Sequence, residues 1–383
     1  MKMKRVHRVL ATMTTALAVF AAPTAALAAS DTAHRVGLEE GLDDITSTSA
    51  VGALMDVRDE HGGWRGTSGV AELGTTQKVS AHARFRIGSI TKTFVATVTL
   101  QLAAEDRLGL DDTVDTWLPG ALPNGNKITV RQLLNHTSGV PDYRPTLPMP
   151  PAPQFLDNRL RTWSAADLIQ RAVVNPPTFE PPGSDYAYSN TGYLLLGQII
   201  EKVTGRSYGE EIERRIIRPL RLHGTSLPGT SPYIRGPHAH GYVPIQRGSG
   251  VRLVDLTAMN PSVMGAGGEM ISTARDLNRF LAALLGGDLV PDHLLDAMKA
   301  PGVHDRKYGL GLQWQDTSCG VRVYGNDGDA LAYQSWSFST QDGHRQVTIA
   351  LTPDFRGDPD DAVDALVDKA FCDRPSRGAS WGT

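Results

Sequence analysis

Apolar and polar positions change their period along this chain, and the changes mark its elements. Over residues 31–46, Val36, Leu38 and Leu42 recur as on one face of a helix, with Asp31 available as its cap. Residues 51–57 and 69–73 read as strands about the turn Asp59-Glu60-His61-Gly62-Gly63. Strand-like residues 83–87 give way at Ser89 to helical spacing through Phe94, Val95, Val98 and Leu102, with Gly109 near its end. Further helices are expected at 165–173, 191–203 (closed by Gly205), 208–216 and 274–285. Five prolines in 143–154 and four in 176–183 force surface loops, since each ring fixes φ and removes a donor. Strand character returns at 321–324, 331–338 and 346–351, with a turn at 341–344, before a last helix at 360–371.

Strands thus come from both ends and helices from the middle. The simplest assembly is an α+β fold: one antiparallel sheet flanked by the terminal helices, with an inserted, mostly helical lobe. The sheet lobe would take about 31–88 and 305–373, and the helical lobe about 89–304, leaving a flexible tail at 374–383. A cleft between two such lobes is where a small-molecule site is expected.

The first 28 residues read as a secretory signal peptide. Lys2, Lys4, Arg5 and Arg8 precede an apolar run that exits through Ala26-Leu27-Ala28. Thr12, Thr14, Thr15 and Pro23 interrupt that run, which argues against a membrane anchor, and no second stretch of about 18 apolar residues follows. Four of the 38 basic side chains lie in the leader, so the remainder carries 34 against 41 acidic, a net charge of −7. An acidic chain without a basic run is a poor partner for nucleic acid or an anionic membrane surface. The expected product is a secreted monomer without a membrane anchor, extracellular or associated with the wall. Cys319 and Cys372 are the only cysteines, and in an oxidising compartment they are expected to pair; two buried free thiols are the alternative.

The candidate chemistry begins at Ser89, which follows Gly88 where strand gives way to helix. A nucleophile there meets the positive end of the helix dipole and free backbone N–H groups. Lys92 lies one turn on, and its amine can accept the serine proton only if burial or a nearby cation lowers its pKa. Ser-x-x-Lys alone is also what a capped helix with a surface lysine looks like. The second element is Tyr188-Ser189-Asn190, whose outer residues project together if the segment is extended. A phenol can relay protons, and an amide can bind a substrate carbonyl and hold the lysine amine. An ordinary Asx cap at Asn190 is the competing reading.

Taken together, Phe85-Arg86-Ile87-Gly88-Ser89-Ile90-Thr91-Lys92-Thr93-Phe94, Leu133-Leu134-Asn135-His136-Thr137-Ser138-Gly139-Val140 and the stretch from Tyr188 to Gly197 resemble the serine DD-peptidase and class C β-lactamase family. Gly265-Ala266-Gly267-Gly268 followed by Ser272-Thr273-Ala274-Arg275-Asp276-Leu277 is similar too. The resemblance covers roughly residues 35–373 and is nearest in appearance to secreted actinobacterial D-alanyl-D-alanine carboxypeptidases, whose cysteine pair is similar to Cys319 and Cys372. It implies a β-lactamase/transpeptidase-like fold over 29–373 and an acyl-enzyme at Ser89. Lys92 would be proton acceptor, Tyr188 the shuttle to the leaving amine, and Asn190 the group that binds the substrate amide. The backbone N–H groups of Ser89 and Asp329 would form the oxyanion hole. The substrate would be a small peptide or a β-lactam-like compound, with peptidoglycan peptides foremost, and no cofactor or metal is called for.

The family's third motif is a cation, a hydroxyl and a glycine; here the matching residues are Asn326-Asp327-Gly328. The glycine would let substrate backbone approach the strand. An aspartate in place of the hydroxyl repels a substrate carboxylate by roughly 4 kcal/mol at about 4 Å and an effective dielectric near 20. Arg322 and Arg252 are candidates for a replacement cation. A D-alanyl-D-alanine carboxypeptidase leads, with a β-lactamase, esterase or D-amino-acid amidase or aminopeptidase of the same fold as alternatives. A non-catalytic binding protein is the remaining class, which retention of Ser89, Lys92 and Tyr188 argues against. His238-Ala239-His240 offers two metal ligands and no third nearby, so it reads as a strand leading to Gly241-Tyr242. His136, between Asn135 and Thr137, reads as structural.

Overall fold

The structure, a computed structural model, describes residues 22–59 and 62–372. Most of the expected leader, the turn residues 60 and 61, and the tail after Cys372 lie outside the described residues.

Helix α1 (Ala22–Thr48) starts earlier than its periodicity suggests, which places position 31 inside the helix rather than at its start. Leu38, Leu42 and Ile45 are buried, whereas Val36 faces outward. Strand β1 (Ala50–Asp59) turns into β2 (Gly62–Gly69). The expected strand at 69–73 is therefore a misplacement: beyond Gly69 only Val70 makes a bridge, to Lys78. Glycine-rich, polar β2 is an edge strand without alternation, while the apolar residues just after it imitate a strand. Short β3 (Phe85–Arg86) leads into α2 (Ile90–Ala104), whose residues from Ile90 to Leu100 are all buried. A helix buried on every side belongs in the middle of a core. Phe94 of α2 stacks on Phe280 at 3.7 Å between ring centroids.

The helical lobe holds α3 (Val130–Leu134), the helix Ala165–Val173 and α4 (Asn190–Thr204), which closes at left-handed Gly205. It also contains a hairpin, β4 (Tyr242–Arg247) with β5 (Gly250–Asp255), and a short β6 (Ile271–Ser272) paired with β3. Residues 238–240, expected as strand, form a loop entering β4, and His240 Nδ1 lies 2.6 Å from Asp255 Oδ2. After α5 (Ala274–Leu285) come β7 (Gln313–Asp316), β8 (Arg322–Asp329), β9 (Gln334–Thr340) and β10 (Gln346–Pro353), then α6 (Asp360–Cys372). Strand β9 begins three residues later than its apolar pattern suggests, because Leu331 takes φ +68° in the turn that Asp329 closes.

The sheet is six-stranded and antiparallel in the order β2-β1-β10-β9-β8-β7. On one face α1 and α6 bury Leu38, Leu42, Phe371, Leu366 and Val367 against Met55, Val347 and Ile349. The other face meets α5 and, at β8, the central helix α2. Cys319 and Cys372 form a disulfide that ties the β7–β8 turn to the end of α6. Among the described residues no helix is long and apolar enough to cross a membrane.

Candidate active site

Gly88 holds φ +48°, and an added Cβ would lie 2.6 Å from the carbonyl oxygen of Asp329. Gly328 lies as close on the other side, where a Cβ would come 2.0 Å from the carbonyl oxygen of Ile87. The two glycines let the end of β8 lie directly on the segment before α2, and a side chain at Gly328 would run into the Ile87 carbonyl. Ser89 is the N-cap of α2, and Lys92 stands one turn inside with no exposed surface.

Lys92 Nζ is 3.0 Å from Ser89 Oγ, 2.8 Å from Asn190 Oδ1 and 2.6 Å from the carbonyl oxygen of Gly267. The ammonium donates to all three. Once it loses a proton, the two fixed acceptors retain its N–H groups and leave the lone pair facing Ser89. Burial pulls the lysine pKa down to about 7, opposed first by the Asp142 carboxylate. Tyr188 completes the group, its hydroxyl 2.6 Å from Ser89 Oγ. Desolvation raises its pKa, with the Ser89 hydrogen bond opposing, so the phenol stays neutral in the resting site.

Two supporting groups add to the site: Asp142, which was not singled out in the sequence, and Gly267, which was quoted there within a motif without a role. Asp142 Oδ2 accepts from Asn190 Nδ2 at 2.8 Å, and Gly267 supplies the second lysine acceptor from the turn Gly265–Gly267. His136 accepts the Ser189 N–H on Nδ1 at 3.2 Å and packs its ring 4.3 Å from that of Tyr188. Burial holds its pKa well below the usual histidine range, so it is a neutral packing partner.

The cleft has unlike sides. Past Asn190 opens a mostly apolar cavity, walled by Leu147, Phe155, Trp163, Met259, Met264 and Leu331. Past Tyr188 lies a polar groove with Tyr186, Arg306, Lys307, Gln313 and Asp327. Strand alternation parts the third-motif residues. Asn326 is turned inward, 4 % exposed, its amide 3.3 Å from Thr93 Oγ1. Asp327 is exposed to the groove, accepts a hydrogen bond from Gln313 Nε2, and makes no ion pair among the described residues. Neither expected replacement cation is there: Arg322 pairs with Asp316 at 2.7 Å, and Arg252 sits on the exposed β5. Arg306 and Lys307 stand there instead. Arg306 lies over the Tyr186 ring at 4.5 Å, and Lys307 reaches Asp316 at 3.1 Å.

The sequence profile of the Beta-lactamase family matches residues 21–371. The chain belongs to the Beta-lactamase family. It is a serine hydrolase of the β-lactamase/transpeptidase-like fold, and its likenesses include penicillin-binding proteins and amidohydrolases. Penicillin-binding protein 4* of Bacillus subtilis is 30 % identical over 74 % of this chain, which spans 64 % of that relative's length. A D-stereospecific amidohydrolase from Streptomyces sp. superimposes with a TM-score of 0.80 at 39 % identity, covering 89 % of this chain and 99 % of the other. The D-amino acid amidase of Ochrobactrum anthropi SV3, complexed with L-phenylalanine, gives 0.76 at 26 % identity, covering 88 % and 97 %.

Proposed function

We propose that this chain hydrolyses amides or peptides of D-amino acids through an acyl-enzyme at Ser89, releasing a leaving amine that carries no free carboxylate. The observation that carries the reading is Asp327, an exposed carboxylate without an ion-pair partner among the described residues, lining one groove with Ser89 and Tyr188. A substrate carboxylate at about 4 Å would be repelled by roughly 4 kcal/mol at an effective dielectric near 20, and less as solvent screens it. The apolar cavity on the other side suits a bulky apolar side chain on the acyl group. The amidohydrolase and amidase likenesses support D-amino-acid amides as the substrate class.

In this reading Lys92 takes the Ser89 proton as Oγ attacks the amide carbon. The resulting oxyanion lies between the backbone N–H groups of Ser89 and Asp329, brought together by Gly88. Tyr188 gives its proton to the departing amine and regains one from the Lys92 ammonium, and water then hydrolyses the ester by the reverse sequence. The Cys319–Cys372 disulfide supports an oxidising, extracytoplasmic location, in line with export by the leader.

A second reading, a D-alanyl-D-alanine carboxypeptidase, is favoured by Arg306 on the lip of the same groove, where a guanidinium can receive a carboxylate. Rates on an acyl-D-alanyl-D-alanine peptide and on its C-terminal amide separate the two. Preference for the amide, narrowed in Asp327→Ser, supports the amidase. Preference for the free acid, lost in Arg306→Ala, overturns it in favour of the carboxypeptidase.

A further inference from the structure

We propose that Asp142 is a positioning residue for acylation, acting through Asn190 to hold the Lys92 amine against Ser89, whichever leaving group the enzyme accepts. An asparagine amide can face either way, and only one way serves here. With Oδ1 toward Lys92 it accepts from an amine that must donate; flipped, it would set N–H against N–H. Asp142 is acceptor-only when ionised, so its Oδ2, 2.8 Å from Asn190 Nδ2, permits the productive orientation alone. The aspartate is itself held. Its Oδ1 accepts the Arg144 backbone N–H at 3.2 Å, Tyr143 N–H donates to Thr191 Oγ1 at 3.0 Å, and Tyr143 hydroxyl donates to the Val263 carbonyl at 2.5 Å. The chain of contacts therefore runs from a pinned loop through Asp142 and Asn190 to the amine.

The same carboxylate acts on the lysine by its charge. It is the leading charge that opposes desolvation at Lys92, ahead of Arg144, which disfavours the ammonium, and of Asp327, which favours it. The remaining groups on the amine are uncharged: the rings of Tyr188 and Tyr193 at 4.8 and 5.5 Å, and buried His136. Orientation and charge can be separated by substitution. Asp142→Asn keeps an oxygen acceptor for Asn190 and removes the charge, whereas Asp142→Ala removes both.

The test is single-turnover acylation by p-nitrophenyl butyrate across pH 5–10, with Ser89→Ala as background and thermal melts alongside. For Asp142→Asn the plateau rate stays within a few-fold of wild type, and the acid limb moves to lower pH by on the order of one unit. For Asp142→Ala the plateau falls by on the order of 100-fold while KM changes far less. A limb that stays at its wild-type pH in a folded Asp142→Asn protein overturns the proposal. So does Asp142→Ala with a lowered melting point and an unchanged plateau, since both results describe a residue that only stabilises the loop. If Asp142→Ala does not fold, the Asp142→Asn limb alone decides.

Discussion

The lysine at the centre of the site makes the sharpest prediction. Burial lowers its pKa from 10.5 to about 7, which at ~1.36 kcal/mol per unit corresponds to a cost of about 5 kcal/mol for holding the charged form there. The catalytic return is a supply of base. At pH 7 about half of the buried amine is unprotonated, against roughly one part in 3,000 for an ordinary lysine, a gain of about a thousandfold in reactive base. Acylation followed by single turnover with an activated ester should therefore rise with pH along one limb centred near 7 and then level off. A limb near 10, or a flat profile from pH 5 to 9, would show that Lys92 does not serve as the base in this form.

The same shift fixes the sign of a stability effect. Between about pH 7 and 10.5 the unfolded chain binds a proton that native Lys92 does not, so wild-type stability rises with pH across that window. Below about 7 both states hold the proton and the full burial cost remains. Lys92→Met should abolish acylation and yet stabilise the fold most below pH 7, with the advantage shrinking as the pH approaches 10. Its net size is below 5 kcal/mol, because the Asn190 and Gly267 oxygens lose their donor at about 1–3 kcal/mol each. Urea unfolding of both proteins at pH 6 and pH 9 measures this. An offset independent of pH would contradict the depressed pKa.

Three further outcomes follow from packing. Gly88→Ala meets both a φ of +48° and the Asp329 backbone, so it should cost on the order of 1–3 kcal/mol and suppress acylation by moving the end of β8, read as loss of the p-nitrophenol burst. Phe94→Ala removes a fully buried ring stacked on Phe280 and should cost about 3–5 kcal/mol in urea unfolding. Breaking the disulfide by Cys319→Ser opens a link across 53 residues, worth about 4 kcal/mol in the chain-entropy account, and reductant should lower the wild-type melting point and leave the variant unmoved.

What was legible in the sequence was whatever is local. Helix α2 shows itself because its apolar positions recur within single turns, and the Ser89–Lys92 pair is one such turn. Tyr188 and Asn190 are two apart, on either side of Ser189, the extended N-cap of α4. The central strands β1 and β10 were visible because they are buried over most of their length. Edge strands were not: β2 is mostly glycine and polar residues, and β7 is four residues long with a single buried side chain. The supporting half of the site also escaped. Asp142 reaches Asn190 across 48 positions of chain. Gly267 contributes a carbonyl that no residue type advertises. Arg306 sits on an aperiodic loop.

The divergent third motif shows why two neighbouring substitutions have separate consequences. Side chains alternate along β8, so position 326 faces the buried flank of α2 and position 327 faces the groove. Asn326 in place of a cation puts no positive charge beneath the site, and only the Ser89 hydrogen bond opposes the desolvation that keeps the Tyr188 phenol protonated. In the proposed reaction proton abstraction then falls to Lys92, the one member of the group whose pKa is displaced toward neutrality. Asp327 is the last of the charges that act on Lys92, where it favours the ammonium, and in the proposed reaction its main effect is on the field met by the departing half of the substrate. In the proposed reaction the loss of the cation leaves the work to a lysine kept buried and to an aligned Asn190, and the gain of the carboxylate favours leaving groups that do not carry another.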